Sequence, residues 1–304
     1  MRFFGTTSIN FLRIRYRMYA MSSLLILAGI VSMIIKGIDF GIDFRGGTEV
    51  TLHFDQKMEV SEVRNALGAI GLGNSEIKYF GGEDDLLIRT SEQGEGTVVA
   101  DRIKGSISQA FPQMKFEVLK QYKISPKISV ELRRDALYAV IASLIVILIY
   151  VGMRFKFIYG VGAVTALFHD VLTTVSVLSL LDGIFPALNL EISQEVIAAL
   201  LTIVGVSVND TVVIFDRIRE NLKIYRSMSL VDVINKSLND TLSRTIITNG
   251  TVFLVLLTLL FVGGEVTRGF AFTLTIGMIT GTYSTVYIAS ALVIDWTNRE
   301  KKKS

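Results

Sequence analysis

Six apolar runs, each near the ~20 residues a helix needs to cross a bilayer, decide what this chain can fold into. They are Tyr19–Ile35, Ala136–Met153, Phe157–Leu181, Val196–Phe215, Ile246–Val262 and Gly269–Ile294. Half of the 304 residues are hydrophobic and the mean hydropathy is +0.50, so the runs are read as membrane spans rather than as the core of a water-soluble protein. The loops fix a direction. Arg2, Arg13, Arg15 and Arg17 precede the first run; Arg154 and Lys156 follow the second; Arg217, Arg219, Lys223, Arg226 and Lys236 follow the fourth; Arg299 and Lys301 to Lys303 follow the sixth. The connection Asp182–Glu195 has no Lys or Arg, and the one after the fifth run has only Arg268. Basic residues stay on the cytoplasmic side, which predicts six spans with both termini inside. A basic flank before an apolar run also describes a signal peptide, but no small-x-small cleavage site follows, so the first span is expected to be an uncleaved anchor.

Between the first two spans the pattern changes to that of a folded domain outside the membrane. Thr48–Phe54 alternates like a strand, and Val60–Ile70 reads as an amphipathic helix with Ser61 as its N-cap. Glu76–Phe80 and Leu86–Thr90 read as strands around the turn Gly81-Gly82-Glu83-Asp84. Thr97–Phe111 reads as a second helix, and Lys115–Ile124 as a last strand. The order βαββαβ is that of a ferredoxin-like split βαβ domain. The expected architecture is therefore an α-helical polytopic membrane protein of six transmembrane helices, with a ferredoxin-like α+β domain between helices 1 and 2. Its parts are a cytoplasmic N-terminus (1–18), the first helix (19–36), the domain (37–127), five further helices (128–297, the fourth and fifth opening at about 194 and 242) and a basic tail (298–304).

The candidate chemistry lies where ionisable groups stand at membrane depth. A carboxylate at the centre of a membrane helix costs about 2.5–3.5 kcal/mol on insertion scales, so it usually faces protein or a water path. Asp210, beside Asn209, lies in the fourth span, about 9 Å inside its charged end at the ~1.5 Å rise of a helix. His169 and Asp170 lie midway along the third span, where a His is suited to passing protons near neutral pH. Arg244 opens the fifth span, and Thr241, Arg244, Thr248 and Thr251 form one polar stripe at three- and four-residue spacing. The expectation is that Arg244 is the counter-ion of Asp210. Gly277 and Gly281 in the sixth span form a small-residue face for close helix packing.

Other chemistries find little support. The chain has no cysteine and two histidines far apart in sequence, which removes disulfides, thiol chemistry and a Cys- or His-pair zinc site. No P-loop, Gly-x-Ser-x-Gly elbow or HExxH helix is present. Asp170 and Asp210 lack the Gly-x-Gly-Asp context of an intramembrane aspartyl protease. The chain is expected not to be an enzyme and to need no cofactor or metal.

Four motifs, in order, resemble those of the SecF family, the smaller half of the SecD–SecF accessory complex of the bacterial Sec translocase, itself similar to the RND exporter superfamily. They are GIDFRGGT at 41–48, with Gly41, Asp43, Arg45, Gly46 and Gly47; VSVNDTVVIFDRIREN at 206–221, with Asn209, Asp216, Arg217, Arg219, Glu220 and Asn221; SRTIITNGT at 243–251; and FAFTLTIG at 270–277, followed by Gly281-Thr282-Tyr283-Ser284. The resemblance implies a multi-pass protein of the bacterial cytoplasmic (inner) membrane. It implies that the external domain is periplasmic and that the six helices pair with six from SecD. It further implies work beside the SecYEG channel and YajC/YidC-type subunits on translocating preproteins, driven by the proton-motive force, with a proton or sodium as the coupling ion. Asp210 and Arg244 match the family's proton-pathway residues, and His169 and Asp170 match a third-helix motif. The competing readings are an RND-type small-solute antiporter and a scaffold that only holds its partners together.

Overall fold

The computed structural model describes residues 7–80, 82–185, 188, 190–263 and 265–303. They fall into two compact units.

Asp39–Leu137 and Phe185–Gln194 form the first unit. Its sheet comprises β1 (Gly47–Phe54), β2 (Glu76–Phe80), β3 (Gly82–Thr90) and β4 (Phe116–Ile124), antiparallel throughout in the order β2-β3-β1-β4. Helix α2 (Ile42–Arg45) precedes the sheet, α3 (Val60–Gly68) joins β1 to β2, and α4 (Val98–Ala110) joins β3 to β4, so the βαββαβ order holds. Alternate residues Val50, Leu52 and Phe54, with Leu86 and Ile88, bury one sheet face against Val63 and Leu67 of α3 and Ile103 and Ile107 of α4. The opposite face is not left to water as simple alternation predicts. Glu49, Thr51 and Arg89 are buried there too. Two local expectations change. The N-cap of α3 is Glu59, and Ser61 sits inside the first turn. Strand β3 starts at Gly82, so Gly82, Glu83 and Asp84 belong to the strand, while Gly81 of the expected turn lies outside the described residues.

The other unit holds α1 (Arg15–Lys36), α6 (Phe157–Leu181), α8 (Leu230–Val262), α9 (Glu265–Ser284) and α10 (Ser290–Lys303), with most of α5 (Pro126–Arg154) and α7 (Gln194–Ile224). A π-helical turn, Thr285–Ala289, joins α9 to α10, so the last span is one continuous rod. Among the described residues, six helical segments are long and apolar enough to cross a membrane. The chain is a multi-pass membrane protein.

Several helices outrun their apolar runs. Helix α5 opens at Pro126, where the missing N–H costs nothing, with the Ser125 hydroxyl accepting from Ile128 N at 3.4 Å. Helix α8 opens on Ser229, whose hydroxyl accepts from Asp232 N at 3.2 Å and donates to its carboxylate at 2.6 Å, a reciprocal cap. Its polar first half is held by the N-terminal segment: Asn239 exchanges hydrogen bonds with the backbone of Ile9 at 2.8 and 2.9 Å. Small residues set the helix approaches. A Cβ on Gly29 would lie 2.1 Å from Ser176 Cβ, and one on Gly277 would lie 1.9 Å from Ile203 Cδ1. Helices α1 and α6, and α7 and α9, therefore pack closer than side chains would otherwise allow.

Candidate functional site

Asp170 stands where α6, α7 and α9 meet and is 0% exposed. Its Oδ2 accepts from the hydroxyls of Ser207 (2.7 Å) and Ser284 (2.8 Å). Its Oδ1 lies 3.1 Å from His169 Nδ1. The other ring nitrogen, Nε2, is 2.9 Å from Ser22 Oγ on α1, and that hydroxyl is 2.9 Å from Tyr283 Oη. The adjacent His and Asp, whose Cα positions are ~100° apart on a helix, thus meet through their side chains. Gly281 makes this crossing tight: a Cβ there would lie 3.2 Å from Ser207 Cβ and 3.7 Å from Asp170 Oδ2.

One turn beyond Ser207 on α7, Asp210 is 7% exposed. Its partner is not the expected one. Asn249 Nδ2 donates to Asp210 Oδ2 at 2.6 Å and to Thr282 Oγ1 at 2.7 Å, which ties α7, α8 and α9 together. Arg244 is exposed, and among the described residues it makes no ion pair with Asp210; its charge acts on the carboxylate without contact. The reason is helical phase. On α8 the buried polar stripe is Thr241, Thr245 and Asn249 at i, i+4, i+8, whereas Arg244, Thr248 and Thr251 are exposed. A cavity of about 20 Å³ opens between Asp210, Ser207, Asn249, Thr282 and Gly281.

In the other unit, charges answer charges. Arg89 of β3 contacts Glu191 at 2.5 and 2.9 Å, Glu49 at 2.7 Å and Glu76 at 3.3 Å, and Lys78 lies 3.3 Å from Glu191. Burial alone would push the Glu191 carboxyl up, but the hydrogen bonds and charges of Arg89 and Lys78 outweigh it and hold the carboxyl below the usual range. The same partners raise Arg89 against the effect of its own burial. The carboxylates of Asp39, Glu76 and Glu191 converge. Each faces Arg45, Arg89 or Lys78, so the cluster is a neutralised ion network.

Comparison with known proteins decides the family. The model for the C-terminal region of the protein export membrane proteins SecD/SecF matches residues 103–299, and that for the SecD/SecF GG motif matches residues 31–58. The chain is 43% identical to protein translocase subunit SecF of Rhodothermus marinus, over 97% of this chain and 95% of that protein. The chain belongs to the SecD/SecF family. It is also 36% identical to SecF of Vibrio alginolyticus, over 94% and 89% of the two chains. It superposes on the crystal structure of SecDF, a translocon-associated membrane protein from Thermus thermophilus, with a TM-score of 0.84 and 37% identity, covering 96% of this chain and 39% of that one. The chain therefore spans about two fifths of the SecDF chain. The family is one of protein translocase subunits rather than of catalysts, and its members serve Sec translocation.

Against that family frame, the GG motif has a clear structural task. Asp43 Oδ2 accepts from Gln194 N at 3.1 Å, Gly41 N donates to Ile192 O at 2.9 Å, and Arg45 pairs with Asp39 at 2.8 Å. Gly46 and Gly47 have φ of 73° and 134°. A Cβ on Gly47 would strike Thr90 O at 2.2 Å, so the second glycine is required by both backbone and space. The motif thus grips segment 190–194, which ends where α7 begins. The charged end of the α7 motif is a brace: Arg217 pairs with Asp240 (2.9 Å) and Glu220 (3.1 Å), and buried Asn221 donates to Ser237 (3.0 Å) and Asp240 (3.1 Å). Asp216 pairs with Arg154 at 3.4 Å and with Arg219 at 3.9 Å, while Asn209 is exposed. Sequence reasoning missed Ser22, Arg89, Glu191, Ser207 and Asn249. Two of them lie inside motifs already singled out: Ser207 in VSVNDTVVIFDRIREN, and Asn249 in SRTIITNGT, eight residues after Thr241.

Proposed function

We propose that this chain is the SecF-type subunit of a Sec accessory complex. With a SecD partner it uses the proton-motive force to promote preprotein translocation and release across the bacterial cytoplasmic membrane. The observation that carries this reading is Asp210, a carboxylate at membrane depth held by the neutral amide of Asn249 at 2.6 Å, beside a water-sized cavity. A carboxylate without a bound counter-ion takes up a proton without breaking an ion pair. Protonation at Oδ2 turns that oxygen from acceptor to donor; the Asn249 amide then presents its own oxygen, and Thr282 loses the donor it has at 2.7 Å. Three helices share that exchange. One proton crossing 100 mV releases about 2.3 kcal/mol, enough to bias a two-state joint roughly 50-fold.

The basic flanks support cytoplasmic termini, with the soluble unit on the periplasmic side. SecDF of Thermus thermophilus carries the corresponding region inside a longer chain, which supports a SecD partner. Exposed apolar side chains such as Leu24, Ile34 and Ile35 on α1 and Leu137 and Ile145 on α5 fit lipid and partner helices. The SecYEG channel, YajC/YidC-type subunits and translocating preproteins complete the assembly. The chain acts as a coupling subunit and not as an enzyme, with no cofactor.

The test is release of an exported reporter from cells whose only copy carries Asp210→Asn, with membrane level and partner co-purification followed alongside. Release is expected to slow at least tenfold with the complex assembled. Release at the parental rate overturns the reading. Imposing proton or sodium gradients separately on vesicles identifies the coupling ion.

A further inference from the structure

Ser207 stands between the two buried carboxylates of the membrane unit. Its hydroxyl donates to Asp170 Oδ2 at 2.7 Å, and the same residue lines the cavity that reaches Asp210. That cavity is about 20 Å³, and a water needs roughly 10–15 Å³ with two to four polar partners. Ser207, Asp210, Asn249 and Thr282 are the polar residues of its lining, set against Ile203, Val206, Leu274 and Met278 on the apolar side, and Asp210 and Ser207 are the two partners the water requires. We propose that one water in this cavity joins Asp210 to Ser207, making Asp170 the second proton-holding group of the membrane unit, with the Ser207 hydroxyl as the link.

The transfer moves one proton and no electrons. The Asp210 carboxyl gives its proton to the water, the water gives a different proton to Ser207 Oγ, and the original Ser207 hydroxyl proton passes to Asp170 Oδ2. Each oxygen that gains an O–H bond loses one, except that Asp210 ends ionised and Asp170 ends protonated. Rotation of the Ser207 hydroxyl resets the link. The other titratable or charged groups facing the pair are His169 on α6, at Asp170 Oδ1, Tyr283 on α9, at Ser22 Oγ and tilted against the His169 ring, and Arg244 on α8, through its charge. Helix α1 presents the neutral Ser22 hydroxyl, and Asp295 of α10 is engaged by Arg15 at 3.2 Å. This inference rests on Asp210 taking up protons, as in the proposed function.

The test is infrared spectroscopy of the full chain in its membrane complex. The protonated-carboxyl bands are assigned by their loss in Asp210→Asn and in Asp170→Asn. Ser207→Ala is expected to slow hydrogen–deuterium exchange at the Asp170 carboxyl at least tenfold. Gly281→Ala, which adds a methyl 3.2 Å from Ser207 Cβ and narrows the cavity without touching any hydroxyl, is expected to slow it as well. Thr211→Val removes a buried hydroxyl that pairs with Thr285 at 3.2 Å and donates to the Ser207 backbone oxygen at 3.0 Å; it touches neither the Ser207 hydroxyl nor the cavity and is expected to leave exchange unchanged. Asp170→Asn is expected to move the Asp210 titration midpoint by about one pH unit or more, a tenfold coupling. Parental exchange in Ser207→Ala, or equal slowing in Thr211→Val, overturns the proposal. Failure of the Asp210→Asn release test would instead remove the coupling reading, and the exchange between the carboxylates would stand by its own result.

Discussion

Both units of this chain bury carboxylates, and they treat them in opposite ways. In the unit that carries the sheet, Glu49 and Glu191 face Arg89, with Lys78 beside Glu191 and Lys120 3.3 Å from Glu49. In the membrane unit Asp170 is held by two serine hydroxyls and a histidine, and Asp210 by an asparagine amide. The difference lies in what a proton does on arrival. Protonating Glu191 cancels half of a charge pair and leaves a cation facing fewer anions. Protonating Asp170 or Asp210 exchanges one hydrogen-bond pattern for another, with no Lys or Arg in contact to be left unpaired among the described residues. The first arrangement resists change near neutral pH; the second is the one the proposed function requires to take up a proton. On that proposal, a latch and a switch are built from the same side chain by choice of partner.

The comparison breaks first at Arg89. Arg89→Ala strands two buried carboxylates, and removing one member of a buried pair typically costs about 3–5 kcal/mol. That loss is expected in denaturant unfolding of the full chain, followed through hydrogen exchange in β1 and β3. A loss under about 1 kcal/mol would mean that the lysines carry the network and the latch is not one. A smaller effect follows from acid. Because Glu191 titrates below its ordinary value of about 4.3, its contribution is complete above that pH and is lost as pH falls through the depressed value. Amide protection in segment 190–194 is therefore expected to be flat from pH 7 to about 4.5 and to drop below it. On the membrane side, Asp170→Asn keeps one oxygen for the serine hydroxyls and should cost only about 1–2 kcal/mol. Thermal unfolding of the complex measures it. A cost equal to that of Arg89→Ala would erase the distinction between the two regions.

Much of this architecture is legible in the sequence because hydropathy and periodicity are local. The six spans and the βαββαβ order needed nothing beyond them. The helices begin ahead of their apolar runs, at signals hydropathy does not register: Ser125-Pro126 and Ser229-x-x-Asp232 precede runs that begin at Ala136 and Ile246. Asp170 and Asp210 stood out by the cost of their position, but their partners did not. Ser207 and Ser284 are hydroxyls of a kind that commonly bonds its own helix, as Thr211 does to Ser207 O at 3.0 Å, so spacing alone does not reveal a partner on another helix. The Arg244 stripe lies one residue out of phase with the buried one, since three- and four-residue steps from Thr241 also reach Thr245 and Asn249. Glu191 and Arg89 lie 102 positions apart, and no local rule connects them.

The π turn at Thr285–Ala289 gives the last span a property that neither half has alone. The Ser290 N–H reaches back five residues to Thr285 O, so the rod carries one residue more than an α-helix and everything after it is rotated by about 100°. Ahead of the turn, Gly277, Gly281 and Ser284 face α7 and Asp170; behind it, Asp295 meets Arg15 at 3.2 Å and Tyr19 at 3.3 Å. The two halves are spliced out of phase, each aligned to its own neighbours. Deleting one residue between 285 and 289 would heal the helix and force a choice of registration: Ser284 keeps Asp170, or Asp295 keeps Arg15. The irregularity is a splice that lets one rod serve two incompatible alignments.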